Sequence, residues 1–433
     1  MPRILYHTFG CKLNFAETAS LQERLESEGY ETVHGDIGPA PDIVLVNSCS
    51  VTEVADKKCR QYIRSVHRNF PAAAIVVTGC YAQLKGEEIA RLPGVKIVAG
   101  TDRKADIPSL ITSLDSPHSL YLTPTENINA FTPSCARGDR TRFFLKVQDG
   151  CDYRCSYCTI PRARGKSRSP LVADLVEQAQ NVALQGGKEI VLTGVNIGDF
   201  GKGGSEKFID LLRALDNVEG IERYRISSIE PNLITDEIIE FCADSRSFMP
   251  HFHIPLQHGS DEVLALMRRR YKTSLFKHRI ETIRKILPHA FIGVDLIAGS
   301  RGETPELFEK SKEFVNELDI SRLHVFAYSE RPGTDALKIP YKVDAREASR
   351  RVSTLIELSN RKLRDFSNRY IGTVRTVLLE HGKGTDDGTI GGFTDNYLRV
   401  KVEACNHADN TIASVRLDQL DSSGEFIYGT ITD

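Results

Sequence analysis

Cys151, Cys155 and Cys158 stand in GCDYRCSYC with the spacing C-x3-C-x2-C, three thiols in eight positions with no fourth close downstream. A structural zinc site wants four protein ligands, and this run supplies three with no Cys or His to complete the set. Zinc is the poorer fit. An iron–sulfur cube suits the count, because thiolate sulfur is the soft donor such clusters take and the iron without a protein thiolate keeps a position open.

Three more cysteines share a different feature. Cys11 in HTFGCKLN, Cys49 in VNSCSVTE and Cys80 in VTGCYAQ each follow a short β-prone run. Those runs, at 4–8, 42–47 and 74–78, alternate with segments of helical period at 14–28, 52–70 and 87–92, and a fourth run follows at 95–99. The pattern predicts an open parallel α/β sheet, in which ligands bind beyond the carboxyl ends of the strands. Three thiols far apart in the chain are thereby brought to one edge. Of the ten cysteines, the other four, Cys59, Cys135, Cys242 and Cys405, share no pattern and read as structural thiols, Cys59 among charged helical neighbours.

From Arg142 onward, strands expected at 143–148, 189–193, 223–227, 251–255, 291–297 and 322–327 alternate with helical segments. Six such units predict a partial (β/α)6 barrel with its site at the strand C-termini. Cys151 follows the first strand directly. Thr193, Gly194 and Asn196 after the second strand, Ser228 and Glu230 after the third, and Gln257 after the fourth lie where a cofactor belongs, and are the candidate contacts. After residue 345 a long helical stretch leads into short strands at 374–380, 397–403, 411–417 and 426–431, a small all-β barrel. The expected organisation is α/β throughout its first two units: an N-terminal open-sheet domain (1–110), a connecting segment (111–140), the partial barrel (141–368) and the C-terminal β-barrel (369–433).

The 433 residues, 40% hydrophobic and with a net charge of −2, contain no window approaching the ~18 apolar residues of a membrane span. The start, MPRILYHTFGCKLNFAE, lacks the basic-then-apolar pattern of a secretory signal, so a reducing cytoplasm is expected and disulfides are not.

The C-x3-C-x2-C run, with Tyr157 before its last cysteine and placed after the first strand of a βα-repeat region, resembles the radical S-adenosylmethionine superfamily. That resemblance implies that the open iron binds S-adenosylmethionine and that one electron splits it to a 5′-deoxyadenosyl radical. Such chemistry removes hydrogens that no acid–base side chain can. TFGCKLNFAET around Cys11, NSCSVTEVADKK around Cys49 and TGCYAQ around Cys80 resemble the methylthiotransferases, over nearly the whole chain. The implication is two [4Fe-4S] clusters: Cys151, Cys155 and Cys158 for the radical-generating one, and Cys11, Cys49 and Cys80 for an auxiliary one carrying the sulfur to be inserted. An electron donor such as flavodoxin or ferredoxin is implied as well.

TFGCKLN, IPRARGKSRS (160–169), HIPLQHGSDEVLALMRRRY (253–271) and YSERPGTDAL (328–337) are similar to the branch that converts threonylcarbamoyladenosine, beside the tRNA anticodon, to its 2-methylthio form. GGFTDNYLRVKV (391–402) is similar to the TRAM domain that positions substrate in that family. The expected partner is the tRNA anticodon stem-loop, with no membrane or DNA partner. Arg137, Arg140, Arg142, Lys146, Arg154, Arg162, Arg164, Lys166, Arg168, Arg268, Arg269, Arg270 and Lys272 crowd the first cluster loop or its neighbourhood, as phosphate contacts would. From Gly372 onward, however, five Lys or Arg face ten Asp or Glu. An acidic domain suits a basic protein partner, so the sibling branch acting on a ribosomal-protein aspartate is the second reading. A tRNA-binding iron–sulfur sensor without radical chemistry is a third. The chain departs from its relatives at AGSRGE (298–303) and QHGS (257–260), where GFPGE and QSGS are usual, and His258 is given no catalytic role.

Overall fold

The computed structural model describes residues 1–34, 39–114, 119–137, 141–380, 388–403 and 409–432, with the backbone alone at Ser113. Arg140, Lys383 and Cys405 lie outside the described residues.

The first sheet is parallel throughout, in the order Glu31–Val33, Arg3–Thr8, Ile43–Ser48, Ala74–Gly79, Val95–Ala99, Ser119–Tyr121. Its central strands are buried on both faces, as the run IVLVN demands. Two short edge strands, Glu31–Val33 and Ser119–Tyr121, join the four expected ones. Helix Glu53–Asn69 is capped by Thr52, whose hydroxyl accepts from the Ala55 amide at 3.1 Å, and carries acids in its first turn and bases in its last. Cys59 on this helix faces apolar core rather than charged neighbours.

Six parallel strands, Phe143–Lys146, Glu189–Thr193, Arg223–Ile226, His251–Gln257, Phe291–Ala298 and Arg322–Ala327, make the partial barrel. Parallel bridges Tyr224–Phe248 and Ser228–His253 carry it across the middle. Alternation along the strands sends Phe143, Leu145, Ile190, Leu192, Ile254 and Val294 outward into the core beneath the helices. The residues between them line the lumen. Helix Lys12–Ser27 of the first unit packs against the barrel's first strand, with Phe15 edge-on to Phe144 at 5.5 Å and Ala16 buried beside Phe144 and Val191.

The C-terminal unit is a closed barrel in the order Val374–Glu380, Thr389–Thr394, Arg399–Glu403, Ile427–Ile431, Ile412–Leu420. Strand Thr389–Thr394 was not expected, because its two glycines weaken the β signal. This barrel sits against the N-terminal ends of the large barrel's strands. Arg223 donates to Phe393 O at 3.0 Å and Arg225 to Thr394 O at 2.8 Å. Arg142 meets Glu380 at 2.5 Å and Arg322 meets Glu425 at 2.9 Å. Part of the acidity that suggested a basic partner is thus spent inside the chain. Among the described residues no helix is long and apolar enough to cross a membrane.

Candidate functional site

The cluster loop leaves the first barrel strand through Gly150, whose φ is +70° and where an added Cβ would stand 1.9 Å from Lys166 O. Cys151 N then donates to Gly165 O at 3.0 Å, which ties the loop back on itself. Tyr153 N donates to Cys151 Sγ and Ile160 N to Cys158 Sγ, both at 3.4 Å, while Arg269 Nη1 donates to Cys155 Sγ at 3.1 Å. Donors aimed at sulfur suit thiols that carry negative charge. Burial pushes Cys151 and Cys158 up to about 12, and neighbouring thiols of the trio add to it. Keeping these sulfurs ionised therefore requires nearby positive charge, which a bound metal cluster provides.

Gly150→Ala is expected to fold but to bind few irons at this loop, because the left-handed backbone and the Lys166 carbonyl both refuse a side chain. A cost of about 2–4 kcal/mol in urea unfolding, with iron content falling toward that of the Cys151→Ala variant, would confirm it.

The second trio assembles at the edge of the first sheet. Cys11 is the N-cap of helix Lys12–Ser27, Cys49 follows strand Ile43–Ser48, and Cys80 begins helix Cys80–Ala90. That helix starts seven residues earlier than the expected 87, directly at the strand end. A Cβ on Gly10 would lie 2.7 Å from Cys49 Sγ, so the Cys11 loop passes tightly over Cys49. Asn14 fastens it, donating to Phe9 O at 2.9 Å and Ser48 O at 3.1 Å. Burial raises Cys49 to about 12 and raises Cys80 also, and each of these two thiols feels Cys11.

Short helix Ile160–Arg164 joins the two trios. Thr159, next to Cys158, donates to Ser50 O, next to Cys49, at 3.4 Å. Arg164 reaches from the other end of that helix to Cys80 Sγ at 3.4 Å. The same guanidinium bonds Asn14 Oδ1 at 2.7 Å, Asp149 Oδ1 at 3.0 Å and Glu17 at 3.1 Å. Lys146 lies 2.9 Å from Glu17 and 2.8 Å from Asp149, and Lys104 also pairs with Glu17. Burial works against the Glu17 and Asp149 charges, yet the surrounding cations hold both carboxyls below the usual range. On the far side Arg331, in the YSERPGT stretch, donates to Ser50 Oγ at 2.6 Å and Asp56 at 2.8 Å.

These contacts revise the electrostatic expectation. Arg142, Lys146, Arg164 and Arg269 are interior, and Arg168 is paired to Asp149 at 3.1 Å. Arg137, Arg154, Arg162, Lys166, Arg268, Arg270 and Lys272 remain on the outside. Glu17, Asp149 and Gln148 escaped sequence reading; the signal for Glu17 was a charge at a core-facing helical position. Gln148 accepts from Val195 N at 3.0 Å and Asn196 N at 2.8 Å, and donates to Gly150 O at 2.8 Å. It locks the loop after the second strand onto the cluster loop.

The candidate cofactor contacts surround this point. Thr193 and Asn196 are buried, and an added Cβ on Gly194 would lie 2.8 Å from Gln148 O. Asn196 Oδ1 and Asn232 Oδ1 are buried without a partner, and Asn232 Nδ2 donates to Tyr153 OH at 2.8 Å. Glu230 pairs with Arg269, the residue that donates to Cys155 Sγ. Ser228 bridges to His253, and Gln257 has φ +67° at the end of its strand. His258 is buried, its Nδ1 accepting from Ser260 N at 3.1 Å. Among the described residues no three His, Cys, Asp or Glu are arranged to hold a single metal ion. Soft thiols in threes, with amide and guanidinium donors on sulfur, fit clusters of iron instead.

Burial lowers His258 to about 3 and His324 to about 4. The folded chain keeps both neutral where an unfolded chain binds protons, so their contribution is complete above about pH 6.5 and lost as pH falls toward those values. Depressed Glu17 and Asp149 shift the balance in the same sense at still lower pH. Urea unfolding free energy is expected to fall by on the order of 2–4 kcal/mol between pH 7 and pH 5, and His258→Gln should shallow that slope.

Comparison with known proteins agrees with this architecture. The family described as "Uncharacterized protein family UPF0004" matches residues 3–100 and the "Radical SAM superfamily" matches residues 145–315. The chain is 37% identical, over 96% of its length and 94% of the relative's, to the "Threonylcarbamoyladenosine tRNA methylthiotransferase MtaB" of Bacillus subtilis. It is 36% identical to the protein of the same name from Thermotoga maritima, over 98% of this chain and 96% of that one. A "tRNA-2-methylthio-N(6)-dimethylallyladenosine synthase" of Thermobifida fusca is 32% identical over 88% of this chain and 78% of its own. Among solved structures, the radical S-adenosylmethionine methyltransferase TsrM from Kitasatospora setae, with cobalamin and a [4Fe-4S] cluster bound, superposes with a TM-score of 0.58. At 15% identity, over 78% of this chain and 77% of that one, it is similar in fold alone.

Proposed function

The chain belongs to the radical S-adenosylmethionine methylthiotransferases, and on that premise we propose that it converts threonylcarbamoyladenosine beside the tRNA anticodon to the 2-methylthio form with two [4Fe-4S] clusters. As a member of that family it is an enzyme that uses S-adenosylmethionine and iron–sulfur chemistry. One observation carries the two-cluster reading: two thiol trios, from two different sheets, meet across helix Ile160–Arg164 with Thr159 on Ser50 and Arg164 on Cys80. Cys151, Cys155 and Cys158 would hold the radical-generating cluster, and Cys11, Cys49 and Cys80 the auxiliary one. When bound, the clusters and S-adenosylmethionine supply the one-electron chemistry and the sulfur, which no side chain offers.

The protein's own residues do the rest. Arg269 and Arg164 each set a guanidinium against one trio and thereby favour its thiolate form. Gln148 holds the Thr193–Asn196 loop against the cluster loop, and Asn196 and Asn232 offer free carbonyl oxygens toward a cofactor with hydrogen-bond donors. The exposed Arg154, Lys166, Arg268, Arg270 and Lys272 flank the cluster loop and suit the phosphates of an anticodon stem-loop. A flavodoxin- or ferredoxin-like donor would supply the electrons.

Relatives named for dimethylallyladenosine make that nucleoside the competing substrate. Relatives acting on tRNA, together with acids engaged by Arg142 and Arg322, weigh against a ribosomal-protein aspartate. Mass spectrometry of nucleosides from tRNA incubated with the reconstituted enzyme decides. Methylthio appearing on threonylcarbamoyladenosine is expected, and its appearance only on dimethylallyladenosine or on a ribosomal protein would overturn the reading.

A further inference from the structure

The alternation that turns apolar side chains outward from the large barrel leaves a polar layer inside it. His253 Nε2 lies 2.6 Å from Asp295 Oδ1, and the His253 and His324 rings stand 4.9 Å apart. Between them the wall is Gly293, where a Cβ would come within 3.3 Å of His324 Nε2, so the glycine keeps the space open. Below, His251 is buried with Nδ1 unpartnered, its ring 4.1 Å from that of Tyr397. Tyr397 comes from the C-terminal barrel with φ +67°, which marks a residue held in place against its backbone preference. Catalysis as described above uses none of these groups.

The side of this chamber is closed by helix Lys12–Ser27. Phe15 and Ala16 of that helix pack on Phe144 and Val191, residues of the barrel's inner face. Lys12 precedes them by three and four positions and so shares their face. Its charge reaches the chamber: after burial and other cations or rings, Lys12 is among the groups that depress His251 and His324. Lys12 is exposed and pairs with no carboxylate among the described residues. It is also the residue after Cys11, so a ligand that touches it lies beside the auxiliary trio.

Resting on the function proposed above, we infer that Lys12 receives the carboxylate of the threonylcarbamoyl arm, and that the His253–Asp295 pair and His324 take its hydroxyl and ureido groups. Lys12 is then a specificity-determining residue. An ammonium group pairs well with a carboxylate, whereas an apolar dimethylallyl arm strips water from it and returns nothing. A site built to bond polar groups rejects an analogue that lacks them.

The test uses full-length reconstituted enzyme and three anticodon stem-loop RNAs, carrying the threonylcarbamoyl arm, its methyl ester, or a dimethylallyl arm. Wild type is expected to favour the free acid. Lys12→Gln should lower kcat/KM on the acid by about 10- to 100-fold, chiefly through KM, and change the ester by less than about threefold. Lys12→Arg should keep the preference for the acid. Competition binding of the same RNAs should show the same loss, and about eight irons per chain would show that the neighbouring trio survives the substitution. Equal losses on acid and ester, or no loss on the acid, would overturn the Lys12 assignment alone. A wild type inactive on the acid but active on the dimethylallyl arm would overturn the substrate reading with it.

Discussion

Replacing Cys151, Cys155 and Cys158 together by alanine is expected to leave about four irons per chain and to abolish 5′-deoxyadenosine production. Replacing Cys11, Cys49 and Cys80 should leave about four irons as well, but 5′-deoxyadenosine should still form while methylthio product does not. The difference follows from where each trio sits. The first hangs in the loop Gly150–Cys158 at the mouth of the large barrel, beside Asn196, Asn232 and the Arg269–Glu230 pair. The second is tied to helix Ile160–Arg164, by Thr159 on Ser50 and Arg164 on Cys80. Anaerobic iron determination and product chromatography on both variants check it. If either triple variant kept about eight irons, or if both lost 5′-deoxyadenosine alike, the division of labour would fail.

Arg164→Ala should damage the protein more than any other single arginine substitution. The side chain is 1% exposed and bonds Glu17, Asp149, Asn14 and Cys80 at once. Without it two buried carboxylates share Lys104 and Lys146, with Arg168 reaching only Asp149. Breaking a buried ion network by removing one partner costs about 3–5 kcal/mol. The loss should appear as a lower denaturant midpoint and as about four irons in place of about eight, because Asn14 and Cys80 lose a common anchor. Arg164→Lys restores charge but not the fork that spans four partners, and should recover stability only in part. An Arg164→Ala chain that unfolds at the wild-type midpoint with full iron would show that the network does not hold the auxiliary trio.

The exposed and buried arginines show where sequence reading stopped. IPRARGKSRS reads as a basic stretch, and its Arg162 and Lys166 do lie outside, yet Arg164 between them is wholly inside. Its partner Glu17 is 147 residues away. No local pattern pairs them. Likewise the acidity of the C-terminal unit suggested a basic protein ligand, whereas Glu380 and Glu425 answer Arg142 and Arg322 of the large barrel. A side chain's type states that it ionises; its solvent exposure depends on what the rest of the chain packs over it.

Other features were present in the sequence alone, for reasons equally physical. Cys151, Cys155 and Cys158 share one loop, so their closeness follows from the covalent chain. Cys11, Cys49 and Cys80 follow strands of one parallel sheet, and parallel strands present their ends along one edge. The periodicities of two and 3.6 residues likewise revealed the six barrel strands, since alternation and burial are local consequences of backbone geometry. Tertiary structure alone decided that helix Ile160–Arg164 would set the two trios against each other, that helix Lys12–Ser27 would flank a polar lumen, and that Tyr397 would rise through its floor. Each of those depends on contacts between segments more than 80 residues apart, and such contacts are selected by the packing of whole surfaces rather than by any short run of residues.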